Sequence, residues 1–152
     1  MKTKIFSAIF MVLLITGTKV FAGDPVNVPR KVLISFEKSF SDIQDEVWHK
    51  VNSFYEVSFF EPVKKSWCRI IYSSDGEILE TLKKYKAEGL PLFIRANIGK
   101  EYPGKEIHSV SELHSKDETT YYLLLMDEDH IYKVTSDGYG NLKLNETLTR
   151  AK

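Results

Sequence analysis

The chain repeats itself. Val28-Pro29-Arg30-Lys31-Val32 returns as Leu90-Pro91-Leu92-Phe93-Ile94, 62 positions later, and a duplicated unit of this size restricts the fold more than composition does. The echo is carried by apolar positions. Phe36 answers Ile98, Phe40 answers Tyr102 and Trp48 answers Val110 at the same offset. Later matches require insertions: Phe54-Tyr55-Glu56-Val57-Ser58-Phe59 is set against Tyr121-Tyr122-Leu123-Leu124-Leu125-Met126, and Asp75-Gly76 against Asp137-Gly138. This predicts a short segment at 23–27, a first unit over 28–82, a polar linker over 83–89, a second unit over 90–146 and a tail at 147–152.

Within each unit the hydrophobic period changes. Val28, Val32, Phe36 and Phe40 recur every four residues behind Pro29, the spacing of an amphipathic helix that opens on proline. Leu90, Ile94, Ile98 and Tyr102 do the same, and Pro103-Gly104 stops the second helix. Alternation follows. Tyr55, Val57 and Phe59 share one face of a strand with Glu56 and Ser58 on the other, Trp67 to Tyr72 is rich in strand formers, and Ser74-Asp75-Gly76 turns the chain into Ile78 to Leu82. Tyr132 to Val134, Ser136 to Asn141 and Leu142 to Leu144 give the second unit the same hairpin. Each unit reads as a helix followed by about four antiparallel strands. Neither helical stripe can be buried alone, so the fold class predicted is α+β, a two-layer structure with both helices on one face of a joined antiparallel sheet.

Ahead of the repeat lies an address. Lys2 and Lys4 precede the apolar run Ile5 to Ile15, and Val20-Phe21-Ala22 provides a site for peptidase cleavage after Ala22. The run is too short for a bilayer span, which needs about 20 apolar residues. Residues 1–22 are therefore predicted to be a signal peptide, leaving an exported chain with no membrane span, periplasmic or extracellular. The 21 basic and 21 acidic side chains balance, which argues against nucleic acid as a partner because phosphate contacts need a basic surplus. Cys68 is the single cysteine, so no intrachain disulfide and no multi-thiolate zinc site is available.

The sequence holds no catalytic constellation. His49, His108, His114 and His130 are scattered, and Asp127-Glu128-Asp129-His130, although carboxylate-rich, lacks the further oxygens of a calcium loop and reads as a hairpin turn. Asp137-Gly138-Tyr139-Gly140-Asn141 reads as a tight turn as well. Cys68, between Trp67 and Arg69 in a strand-like run, reads as a buried structural thiol. No enzyme, no metal and no cofactor is predicted. A metal-dependent hydrolase resting on Asp127, Asp129 and the histidines is the weakest reading.

The run Val28-Pro29 to Phe40, then Trp48, Tyr55 to Phe59, Asp75-Gly76, and Leu90-Pro91 to Tyr102-Pro103-Gly104 resembles the PepSY-like, β-lactamase-inhibitor-protein-like (BLIP-like) secreted bacterial proteins. The resemblance spans nearly the whole chain after the leader. It departs from the family at Ser41-Asp42, where a proline-centred helix end is usual, and at Glu46, where an apolar residue is common. It implies a non-enzymatic extracytoplasmic protein whose helix-backed sheet keeps one face open, the face with which inhibitor relatives grip another protein. It does not name a partner.

If Tyr55, Val57 and Phe59 face the helices, the pairing above puts Tyr122, Leu124 and Met126 with them and leaves Tyr121, Leu123 and Leu125 on the open face. Trp67, Arg69 and Ile71 extend that patch, and Trp48 joins it as a candidate with its face undecided. Exposed apolar patches mark contact surfaces. The predicted function is an extracytoplasmic binding or inhibitory module for a protein or peptide of the cell envelope; the alternative is a structural envelope protein whose copies pair sheet to sheet, as a homodimer or larger assembly.

Overall fold

The computed structural model describes residues 26–150. The leader at 1–22, its cleavage point and the last two residues lie outside them. Helix α1 (Arg30–Ser39) is followed by strands β1 (Val47–Val51), β2 (Phe54–Glu61), β3 (Ser66–Tyr72) and β4 (Ile78–Tyr85). A helical turn at Ala87–Gly89 leads into α2 (Leu92–Glu101), then β5 (Glu106–Ser115), β6 (Glu118–Met126), β7 (His130–Asp137) and β8 (Leu142–Thr149). Every strand pairs antiparallel with its sequence neighbour, so the eight form one meander in the order β1 to β8.

Both helices start where proline dictates. Pro29 and Pro91 occupy the N-cap positions, where the missing N–H costs nothing and φ is already near the helical value. The helices end alike, with the Phe40 N–H donating to the Phe36 carbonyl at 2.9 Å and the Tyr102 N–H donating to the Ile98 carbonyl at 2.8 Å.

Each helix lies on its own core. Val32 and Phe36 are buried with Tyr55, Val57, Phe59, Cys68, Ile70 and Tyr72, whereas Ile94 and Ile98 are buried with Leu90, Val110, Tyr121, Leu123, Leu125 and Val134. The first core is aromatic. The Phe36 ring lies 5.3 Å from Phe59 and 5.4 Å from both Phe40 and Trp48, centroid to centroid, within the range of favourable ring pairs. The second has an aliphatic centre with tyrosines packed around it. Full burial of each large side chain contributes about 1.5–3 kcal/mol, so the two clusters are the main source of stability. They are bridged where β4 pairs with β5: Tyr85 packs on the second core and its hydroxyl donates to a Glu112 carboxylate oxygen across that pairing.

The register corrects three expectations. Tyr121, Leu123 and Leu125 are 8%, 1% and 0% exposed and lie beneath α2, while Tyr122 is 48% exposed on the opposite face. The equivalences behind this come from the ladders: Trp48 opposite Val57 answers Val110 opposite Leu123, and Val57 opposite Ile70 answers Leu123 opposite Val134. The offset is 62 on β1, 66 on β2 and 64 on β3, even throughout, because a hairpin lengthens by residues added in pairs. Pairing Phe54 with Tyr121 uses an odd offset of 67, which moves every side chain of β6 to the wrong face. In the same way Asp75-Gly76 does not answer Asp137-Gly138; Gly76 answers Gly140, with φ of 87° and 89°. Finally, β4 runs on to Tyr85 and β8 to Thr149, so Lys83–Tyr85 are strand rather than linker and residues 147–149 are strand rather than tail.

Candidate functional site

The helices cover one side of the sheet, and period-2 alternation fixes what the other side presents. On β3, Ser66, Cys68, Ile70 and Tyr72 are buried, so Trp67, Arg69 and Ile71 point away from the helices, as expected. Trp67 is 62% exposed. Opposite it on β2 stands Phe60, 41% exposed, with ring centroids 5.3 Å apart. Sequence reading missed Phe60, although the alternation that placed Glu56 and Ser58 on this face continues to it. The row runs on through the ladder pairs Trp67 to Lys84, Lys84 to Ser111 and Ser111 to Tyr122.

Trp48 does not belong to this face. It is half-buried against the first core, 5.4 Å from Phe36 and 6.1 Å from Tyr72 by ring centroid. With Tyr121, Leu123 and Leu125 it therefore leaves the set of residues able to meet a partner. Trp67, Arg69 and Ile71 remain, joined by Phe60 and Tyr122.

Arg69 organises the middle of the open face. Its Nη2 lies 3.0 Å from Glu80 on β4 and its Nη1 3.9 Å from Glu56 on β2, so one guanidinium spans three strands. Beyond Trp67 the surface becomes concave. A groove of about 820 Å³ opens where the β2–β3 hairpin meets the connection into α2, lined by Phe60, Trp67, Lys64, Lys65, Lys84, Tyr85, Lys86, Glu88, Gly89, His108 and Ser109. The hairpin tip is set by its backbone. The Lys65 N–H donates to the Pro62 carbonyl at 3.3 Å, and Lys65 adopts a left-handed φ of 49° that reverses the chain into β3. Gly89 is held close to the Tyr85 ring, where a Cβ would come within 2.8 Å of the ring carbon Cδ2.

Asp127 and Cys68 make local contacts within the fold. Asp127 closes the β6–β7 turn: its carboxylate accepts from Lys105 Nζ at 2.9 Å, the Tyr132 hydroxyl at 2.8 Å, and the Asp129 and His130 amides at 3.1 and 2.8 Å. The lysine and tyrosine bonds favour the ionised form and hold its pKa well below the usual carboxylate range. Cys68 is buried, 3.6 Å from the Ser66 hydroxyl, and burial pushes its thiol up. Among the described residues, no three His, Cys, Asp or Glu side chains converge as a cation site and no helix is long and apolar enough to cross a membrane.

No protein-family model matches the chain. No curated protein matches it either. Solved structures do. A BLIP-like protein from Bacteroides fragilis NCTC 9343 aligns with a TM-score of 0.63 and 11% identity over 85% of this chain and 92% of its own. The fold is BLIP-like. A DUF2874 family protein from Bacteroides ovatus ATCC 8483 aligns at 0.60 with 14% identity over 82% and 89% of the two chains, and a predicted periplasmic protein from Bacteroides eggerthii DSM 20697 at 0.59 with 12% identity over 82% and 90%. At such identities the likeness concerns backbone architecture alone.

Proposed function

We propose that this chain is an exported, non-enzymatic module, built from two copies of one helix-plus-four-strand unit, that holds a protein or peptide of the cell envelope against the open face of its sheet. One observation carries the reading. Phe60 and Trp67 lie side by side on the helix-free face, 41% and 62% exposed, next to a concavity. Aromatic side chains left in water lose the free energy of burial, and tryptophan and tyrosine are the residues most often found as anchors where partners meet. Export is supported by the predicted leader and by likeness to a predicted periplasmic protein.

The test is photocrosslinking in the envelope of the producing cell. A photoreactive amino acid at Trp67 or Tyr122 is expected to give a discrete adduct, and the same residue at Ile34, 52% exposed on α1, none. Equal labelling from both faces, or from neither, counts against the reading. Light scattering on the purified chain separates it from sheet-to-sheet self-assembly, which requires a species of twice the mass or more.

A further inference from the structure

The groove beside Trp67 carries more lysine than carboxylate. The whole sequence balances 21 basic against 21 acidic side chains, yet Lys64, Lys65, Lys84 and Lys86 converge on one concavity whose lining contains a single carboxylate, Glu88. Lys64 is neutralised by Glu61 at 2.8 Å. Lys65, Lys84 and Lys86 are exposed and have no carboxylate within ion-pair distance among the described residues. Elsewhere on the same face Arg69 is balanced by Glu56 and Glu80. Uncompensated like charges repel one another, and a partner of opposite sign relieves that repulsion.

Resting on the open-face reading above, we infer that the partner segment is an acidic stretch of polypeptide, with one apolar side chain seated on the Phe60–Trp67 pair and flanking carboxylates meeting Lys65, Lys84 and Lys86. Lysines act as point charges without the planar fork that selects phosphate or a single bidentate carboxylate, which suits an extended chain carrying several carboxylates. The dimensions agree. A concavity of about 820 Å³ is the size of a site that encloses a few side chains. Nucleic acid fits less well, because affinity for it grows with the number of phosphates neutralised and only three uncompensated lysines are grouped here.

The probe is a fluorescein-labelled peptide alternating glutamate and leucine, compared with the same peptide carrying glutamine for glutamate, and read by anisotropy on the purified chain. The glutamate peptide is expected to bind at least about tenfold more tightly than the glutamine peptide, and to weaken steeply with added salt. Lys84→Glu with Lys86→Glu should abolish that preference, and Trp67→Ala should weaken both peptides. All three substitutions lie on exposed side chains, and an unchanged urea midpoint confirms that the variants fold. Equal binding of the two peptides, lost on Trp67→Ala, overturns the acidic partner while leaving the open-face reading intact. Tighter binding of a labelled oligothymidylate than of the glutamate peptide also overturns it. So does the absence of saturable binding by the glutamate peptide at about 1 mM, the weak end of specific association; crosslinking from Trp67 then decides the open-face reading separately.

Discussion

Ser73 and Asp137 do the same work in the two halves of the molecule. The Ser73 hydroxyl accepts from the Asp75 and Glu77 amides at 3.3 and 3.2 Å, and one Asp137 carboxylate oxygen accepts from the Tyr139 and Asn141 amides at 2.9 and 3.0 Å. Three residues after each comes a glycine with positive φ. The turns share their backbone and differ in the acceptor that organises them.

Those glycines are predicted to tolerate alanine unequally. A Cβ on Gly76 would come within 2.7 Å of the Lys31 carbonyl oxygen, a backbone atom of α1, whereas one on Gly140 would meet the Asn97 and Phe93 side chains at 2.9 and 3.0 Å. Both substitutions also force an L-residue into the left-handed region. Gly76→Ala should cost about 2 kcal/mol or more and Gly140→Ala less, because side chains yield more readily than a helix backbone. Urea unfolding of the two variants checks the order.

The face assignment of β6 is tested by neighbours in sequence. Leu125→Ala removes a side chain with no exposure and should cost about 2–5 kcal/mol. Leu124→Ala, on the open side, should cost about 1 kcal/mol or less. Comparable losses for the two would reverse the register described here.

Tyr72 is a buried phenol whose hydroxyl finds no hydrogen-bond partner among the described residues, and burial pushes its pKa up to about 12. Removing an unsatisfied buried hydroxyl relieves its desolvation cost. Tyr72→Phe should therefore leave stability unchanged or raise it by about 1 kcal/mol. A clear drop in the thermal midpoint would mean that the hydroxyl is satisfied.

Asp127 makes stability depend on acid. Its hydrogen bonds to Lys105 and Tyr132 favour the ionised form, so the folded chain resists protonation in a range where the unfolded chain, with an ordinary Asp pKa of about 4, takes up a proton. That contribution is present in full above about pH 4 and disappears as pH falls toward the folded value. Asp127→Asn should be less stable at neutral pH, with the difference from the natural chain narrowing in acid. Parallel stability curves down to the acid transition would exclude this role.

Much of the architecture was legible in advance. The two prolines and the four-residue apolar spacing behind them locate both helices, and Tyr55, Val57 and Phe59 reveal a half-buried strand because polar residues stand between them. The run Tyr121 to Met126 carries no such contrast. All six residues are apolar or aromatic, so period alone cannot say which three face the helices, and only the ladder to β5 and β7 decides. Trp48 was ambiguous because β1 is short and mostly exposed. No local pattern in the sequence brings the lysine groove together, since its members come from a hairpin tip, from β4 and from the connection into α2. The face of Trp67 is legible because a tryptophan alternating with strand-forming apolar residues has one place to go.

The unbroken neighbour-to-neighbour pairing of the strands has a kinetic consequence. A polypeptide delivered amino end first, from a ribosome or through an export channel, holds everything the first core needs once it has emerged as far as Tyr85. Nothing in that half waits for a late-arriving strand to be inserted between earlier ones. Contacts this local close cheaply and early, so assembly of the leading half can be finished while the trailing half is still in transit, and its free β4 edge then serves as the template on which the remainder is laid down.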